Sequence, residues 1–121
     1  MTTAGDAFRM TEQAYLVLLA LTGEPRHGYA VIQAVRELSD GRARLGAGTL
    51  YGNLDRLVGA GLVEPAGEEV VDGRLRRYYR ASGEGRRAAQ AETMRLARLA
   101  DRARRSLDRP GDAPDVAGEP A

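Results

Sequence analysis

A chain of 121 residues with net charge +1, no cysteine, no tryptophan and a single histidine, His27, is sized for one domain plus a tail. These counts exclude a disulfide framework, a thiolate metal site, a cysteine nucleophile and the usual multi-histidine metal centres. No apolar run approaches the ~20 residues of a membrane span, and the start MTTAGDAFRM lacks the basic-then-apolar pattern of a secretion signal, so a cytoplasmic protein without metal or cofactor is expected.

Charge is unevenly placed: three Arg against five acids in residues 1–41, nine against six in 42–87, six against three in 88–109, and three acids with no base from Pro110 on. A near-neutral chain can therefore present a basic face, which admits nucleic acid as a partner. All 18 basic residues are Arg. The joint bias to Arg, Ala and Gly reads as GC-rich codon usage and points to a bacterial genome, although Arg also suits bidentate contact to phosphate and guanine.

Residues 1–9 read as a loose N-terminus. TEQAYLVLLALTG is a helix with Thr11 as N-cap, Glu12 in its first turn and Gly23 at its end. It is apolar on every side from Ala14 to Leu21, so it needs partners on two faces, one of them a second subunit. EPRHGYAVIQAVRELSDG is a second helix, with Tyr29, Ile32, Val35 and Leu38 assigned to one face and Ser39–Asp40–Gly41 as its stop. RARLGAG is a short basic loop.

TLYGNLDRLVGAG is the third helix. Leu50, Leu54, Leu57 and Val58 are assigned to its inner arc, Thr49, Gly52, Asn53 and Arg56 to the opposite side, and Tyr51 to the edge. Gly46 and Gly48 are read as a sharp turn into the helix, Gly52 as relief of bulk on the polar face, Gly59 and Gly61 as its end. LVEPAGEEVVDGRLRRYYRAS is a β-hairpin turning at Asp72–Gly73. Leu75, Tyr79 and Ala81 are expected to face the core, and Arg74, Arg76, Tyr78 and Arg80 to face out, with Arg77 on the Tyr79 face at the rim. A fourth helix runs from 83 to 107, with Ala89, Thr93, Leu96, Ala100, Ala103 and Leu107 in four-three spacing beside Met94 and Leu99. It has too few large side chains to stand alone. The Pro/Gly-rich acidic tail, 109–121, is expected to be disordered.

Three helices and a hairpin, with helices two and three joined by a short loop, make a mainly α fold with a β-hairpin wing: a winged helix-turn-helix over 10–82 plus a long C-terminal dimerisation helix over 83–108. The blocks HGYAVIQAV, GAGTLYGNLDRLVGAGLVE and DGRLRRYYRASGEGR resemble the PadR-like transcriptional regulators in order and spacing. The resemblance implies a dimer that represses transcription and is released by a small molecule, and the single C-terminal helix looks like the family's small subgroup. Gly52 stands where the family commonly has proline, Ala47 replaces a common serine or proline, and Ala81–Ser82 a common Leu–Thr. Without tryptophan in the fourth helix, a drug pocket of stacked indoles is not carried over.

In that fold the expected contacts to double-stranded DNA are His27 and Tyr29 at the second helix, Arg42 and Arg44 in the loop, Thr49, Tyr51, Asn53 and Arg56 on the third helix, and Arg74, Arg76 and Arg77 on the wing. Each arginine has an alternative in an ion pair with one of the seventeen acids. Leu16, Leu19, Leu96, Leu99, Ala103 and Leu107 are expected to form the homodimer, whose two-fold axis calls for an inverted-repeat operator. Tyr15, Leu16, Leu19, Met94 and Arg98 are expected to line a cleft for an aromatic or amphipathic, anionic effector. The competing reading is a winged protein-interaction module without DNA binding. An enzyme is not expected, because no residues are placed as nucleophile and base.

Overall fold

The protein's computed structural model describes residues 8–109. It divides after Gln90 into two compact units. The expected looseness of residues 1–7 and disorder of 110–121 lie outside the described residues. Phe8, by contrast, packs with Met10 on the core, so it does not share the looseness expected of residues 1–9.

Helix α1 (Glu12–Ala20) starts where expected: the Thr11 hydroxyl oxygen accepts from the Ala14 N–H at 3.1 Å. Ala14, Leu16, Val17, Leu18, Ala20 and the following Leu21 are all buried. The absence of a polar face is explained within the chain, because α1 packs on both later helices of the first unit. A second subunit is not required to cover it, which corrects the expectation from sequence.

Strand β1 (Arg26–His27) leads directly into α2 (Gly28–Leu38). The inner face of α2 is Gly28, Val31, Ala34 and Val35. Tyr29 and Leu38, expected on one face with Val35, are 67% and 51% exposed. Steps of three residues each fall about 60° short of a full turn, so the ends of that series point roughly 180° apart. The helix closes in a Schellman turn: Asp40 and Gly41 are left-handed, with φ of 54° and 81°, and the Gly41 N–H reaches the Arg36 carbonyl at 2.7 Å.

Helix α3 (Ala47–Gly59) buries Leu50, Leu54 and Leu57. Val58, assigned inward from sequence, is 36% exposed, and Asn53, assigned outward, is 2% exposed. Of the glycines around this helix only Gly61 adopts a positive φ, 78°, closing a second Schellman turn in which the Leu62 N–H bonds the Leu57 carbonyl at 2.9 Å. Gly59, expected with Gly61 to end the helix through a positive φ, does not adopt one; Gly46 is the N-cap at the entry to the helix, and open space surrounds Gly46, Gly48, Gly52 and Gly59.

Strands β2 (Val63–Val71) and β3 (Arg74–Ala81) form the hairpin. Asp72 and Gly73 turn with φ of 52° and 76°, the twist that suits a two-residue hairpin loop. β1 pairs with the other edge of β3, giving the order β1-β3-β2. A bulge between Pro65 and Glu68 interrupts the β2–β3 register, and Gly67 supplies its φ of 113°. Ala81 is buried and Tyr79 packs on the core. Beyond the bulge the hairpin leaves the core, so Leu75 is 53% exposed rather than inward-facing.

Helix α4 (Gly83–Leu107) is tied down at its start. The Ser82 hydroxyl donates to the Gly61 carbonyl at 2.7 Å and accepts from the Gly85 N–H at 3.0 Å. Gly85 lies directly on the Leu62 carbonyl; a Cβ there would overlap its oxygen and come within 2.9 Å of its carbon. After Gln90 the helix carries the ion pairs Glu92–Arg95, Asp101–Arg104 and Asp101–Arg105 along its polar surface.

Candidate nucleic-acid interface

The outward arc of α3 is set by its leucines. With Leu50, Leu54 and Leu57 inside, Gly48, Gly52, Asp55 and Gly59 lie roughly 140–200° around the helix from Leu50 at about 100° per residue. All four are exposed, and no heavy atom lies within 4 Å of a Cβ built on any of the three glycines. The outer line of the helix is thus nearly bare backbone, with the Asp55 carboxylate projecting from it. Exposed Thr49 and Arg56 flank this line on one side and Tyr51 on the other. The N-cap Gly46 supplies no side-chain bond to the first turn, so the backbone N–H groups at the helix start remain open to an anion such as a DNA phosphate.

Two of the expected contacts are partly occupied by the fold. Tyr51 is 47% exposed, but its hydroxyl presses on the start of α2, where a Cβ on Gly28 would lie 2.5 Å away. This contact fixes α3 against α2. Asn53 is withdrawn from the surface altogether. Its Nδ2 donates to the Thr49 carbonyl at 3.0 Å, and its Oδ1 accepts from Arg56 Nη2 at 2.6 Å. A direct DNA contact by Asn53 is therefore corrected: at about 60° from Leu50 it falls within the buried arc. Asp55 was missed from sequence although the same wheel places it outward.

Around α3, Arg42 and Arg44 are exposed in the connecting loop. His27 is half-buried, edge-on to Tyr78 with ring centroids 5.5 Å apart. The exposed Tyr29 hydroxyl accepts from Gln33 Nε2 at 2.9 Å. On the wing, register sets acids of β2 opposite arginines of β3. Arg77 pairs with Glu68 at 3.6 Å and Arg80 with Glu64 at 2.8 Å, while the Tyr78 hydroxyl donates to Glu69 at 2.6 Å. That hydrogen bond raises the Tyr78 pKa above its ordinary value. Arg77 is therefore partly neutralised in place, as its ion-pair alternative anticipated. Arg74 and Arg76 have no acidic ion-pair partner among the described residues.

The residues expected around an effector fall in both units. Leu16 is 8% exposed within the core, so it is not free to line a cleft or a subunit interface. Tyr15 and Leu19 are half-buried on α1. Leu19 lines an open cleft of about 410 Å³ with Ala34, Leu38 and Arg26, whose Nε is buried without a hydrogen-bond partner. Met94, Arg98, Leu99, Ala103 and Leu107 are exposed on α4 beyond Gln90, and Leu96 is half-buried. No group of three or more acidic or histidine side chains among the described residues is placed to hold a metal ion. No helix among them is long and apolar enough to cross a membrane.

Helices α2 and α3 joined by a short loop, with a hairpin following α3, define a winged helix-turn-helix. Residues 17–91 match the transcriptional regulator PadR-like family, and the chain belongs to it. It is 45% identical over 65 residues to the transcriptional regulator Rv3488 of Mycobacterium tuberculosis, covering 54% of this chain and 60% of that one. It is 39% identical over 94 residues to an uncharacterized 37.1 kDa protein in transposon TN4556 of Streptomyces fradiae, covering 78% of this chain but only 26% of that protein. The chain thus spans less than two thirds of either relative. Among solved structures, a PadR family regulator from Eggerthella lenta is 30% identical with TM-score 0.63, covering 79% of this chain and 84% of its own. A PadR family regulator from Clostridium difficile, 23% identical with TM-score 0.67, covers 80% and 99% and shares the fold. The family consists of transcriptional regulators, not enzymes.

Proposed function

We propose that the chain is a sequence-specific DNA-binding repressor that acts as a homodimer on an inverted-repeat operator and is released by a small molecule. The observation carrying this reading is the outer surface of α3: a bare glycine line, an uncapped N-terminus and Arg56 at its flank. Such a helix can lie deep in a major groove with a phosphate at its start. The loop arginines Arg42 and Arg44 and the wing arginines Arg74 and Arg76 supply backbone contacts. Exposure of Met94, Leu99 and Leu107, at 59%, 55% and 84%, supports a second copy as the partner of α4. An aromatic or amphipathic anion is the effector class. It releases DNA only by binding the DNA-incompetent dimer more tightly.

The competing reading, a winged interaction module without DNA binding, is favoured by the wing's self-neutralising pairs and by Asp55. A mobility-shift titration with the intergenic DNA beside the gene separates the two. A discrete complex that resists excess unrelated duplex supports the repressor. Binding that vanishes under that competition supports the module.

A further inference from the structure

Among the described residues Asn53 is the buried polar side chain. It stands on an arc otherwise filled by Leu50, Leu54 and Leu57. Asparagine there is costly on two counts: it is a poor helix former, and a buried amide must find partners. Both of its polar atoms do find them. Nδ2 bonds the Thr49 carbonyl one turn back, at 3.0 Å, and Oδ1 takes Arg56 Nη2, one turn forward, at 2.6 Å. The amide cannot swing away, because its donor end is anchored to the helix backbone and its body is enclosed by the core.

We infer that Asn53 is a positioning residue: it fixes the Arg56 guanidinium in one orientation before DNA arrives. Arg56 is the single basic residue of α3 and is exposed. A free arginine side chain samples many rotamers, and that freedom is lost when it docks on a base. Held by a charge-assisted bond to a buried acceptor, it has already lost part of it. Of five guanidinium donors, one is used by Asn53, which leaves enough for a bidentate contact to guanine. Asn53 thereby contributes to discrimination among sequences without touching DNA, while contributing nothing to the general attraction for phosphate.

The inference rests on α3 entering the groove, and the test separates the two. A duplex is selected by the parent protein from a randomised pool. Its binding, and that of a scrambled duplex, is measured for the full-length parent, Asn53→Ala, Arg56→Ala and the double variant. Arg56→Ala is expected to lower the preference for the selected duplex by roughly 5- to 100-fold. Asn53→Ala is expected to lower it about 3- to 10-fold with scrambled-duplex binding unchanged, and the double variant to match Arg56→Ala alone, because a positioning residue has nothing left to position. In the free protein, nitrogen relaxation at the Arg56 Nε is expected to show a restricted side chain that becomes mobile in Asn53→Ala. Asn53→Gln, which keeps an amide, serves the same comparison if the alanine variant folds poorly. Losses that add, or an Arg56 side chain equally mobile in parent and variant, overturn the inference. No change of preference in Arg56→Ala shows instead that the groove-facing reading of α3 has failed, and the inference falls with it.

Discussion

Replacing Gly52 by alanine separates what this residue does for the fold from what it does at a surface. Gly52 lies in the interior of α3, is exposed, and has no heavy atom within 4 Å of a built Cβ. The substitution meets no clash and removes the entropic cost of glycine in a helix, which stabilises by roughly 0.5–1 kcal/mol. For a domain of this size that is about 2–8 °C in Tm. On DNA the sign reverses. The new methyl sits on the outermost line of α3, and in the proposed complex, with that line against the base edges, it forces the helix outward. If the cost resembles overpacking in a close-packed contact, about 1–3 kcal/mol, affinity for the selected duplex drops by roughly 5- to 150-fold. Circular dichroism on heating and fluorescence anisotropy on a labelled duplex read the two quantities on one preparation. A stabler protein with undiminished DNA affinity refutes the close approach of this helix face. A less stable protein refutes the open environment of Gly52.

Gly85→Ala should do the opposite. Its Cβ would overlap the Leu62 carbonyl, and prying α4 off that contact should cost about 2–3 kcal/mol, seen as a lower midpoint in urea. Glu68→Gln releases Arg77 from its 3.6 Å ion pair; binding to unrelated duplex should strengthen modestly and its salt slope steepen by up to about one counterion. Leu99→Glu puts a charge on the exposed apolar side of α4, where Leu99 is 55% exposed; sedimentation should show monomers in place of dimers, with operator affinity largely lost. The Arg95 hydrogen bond holds the Glu92 carboxyl below its ordinary range. Its stabilising contribution is therefore present above the ordinary carboxylate pKa and is lost as pH falls through the lowered one; a carboxyl titration by NMR should return to the ordinary value in Arg95→Ala.

The elements of this fold were legible in the sequence because their ends are marked by local chemistry. Thr11 caps α1, Ser39–Asp40–Gly41 closes α2, Gly61 closes α3, and Asp72–Gly73 turns the hairpin, each through a bond or dihedral that the residue type favours. Faces were harder. A three-residue repeat such as Tyr29–Leu38 drifts around a helix and does not hold one face, and the polarity of Asn53 suggests solvent while its angle between the leucines places it inside. Asp55 is exposed on the outward arc, but a carboxylate carries no residue-type signal for a phosphate-bearing partner. The wing's charge pairs depend on a β2–β3 register that the bulge at Gly67 shifts, and a two-residue strand such as β1 has no periodic signal. Gly85 is set by the approach of Leu62, 23 positions away in the chain, so no local pattern marks it.

The claim that the surface of α3 and the arginines of the wing meet DNA is tested most directly by titrating isotope-labelled protein with the selected duplex and following backbone and arginine resonances. The largest shifts should fall on Gly48, Thr49, Gly52 and the Arg56 side chain, with a second group at Arg74 and Arg76 and small ones at Arg42 and Arg44. Shifts confined to other surfaces, with α3 and the wing unchanged, would contradict the account.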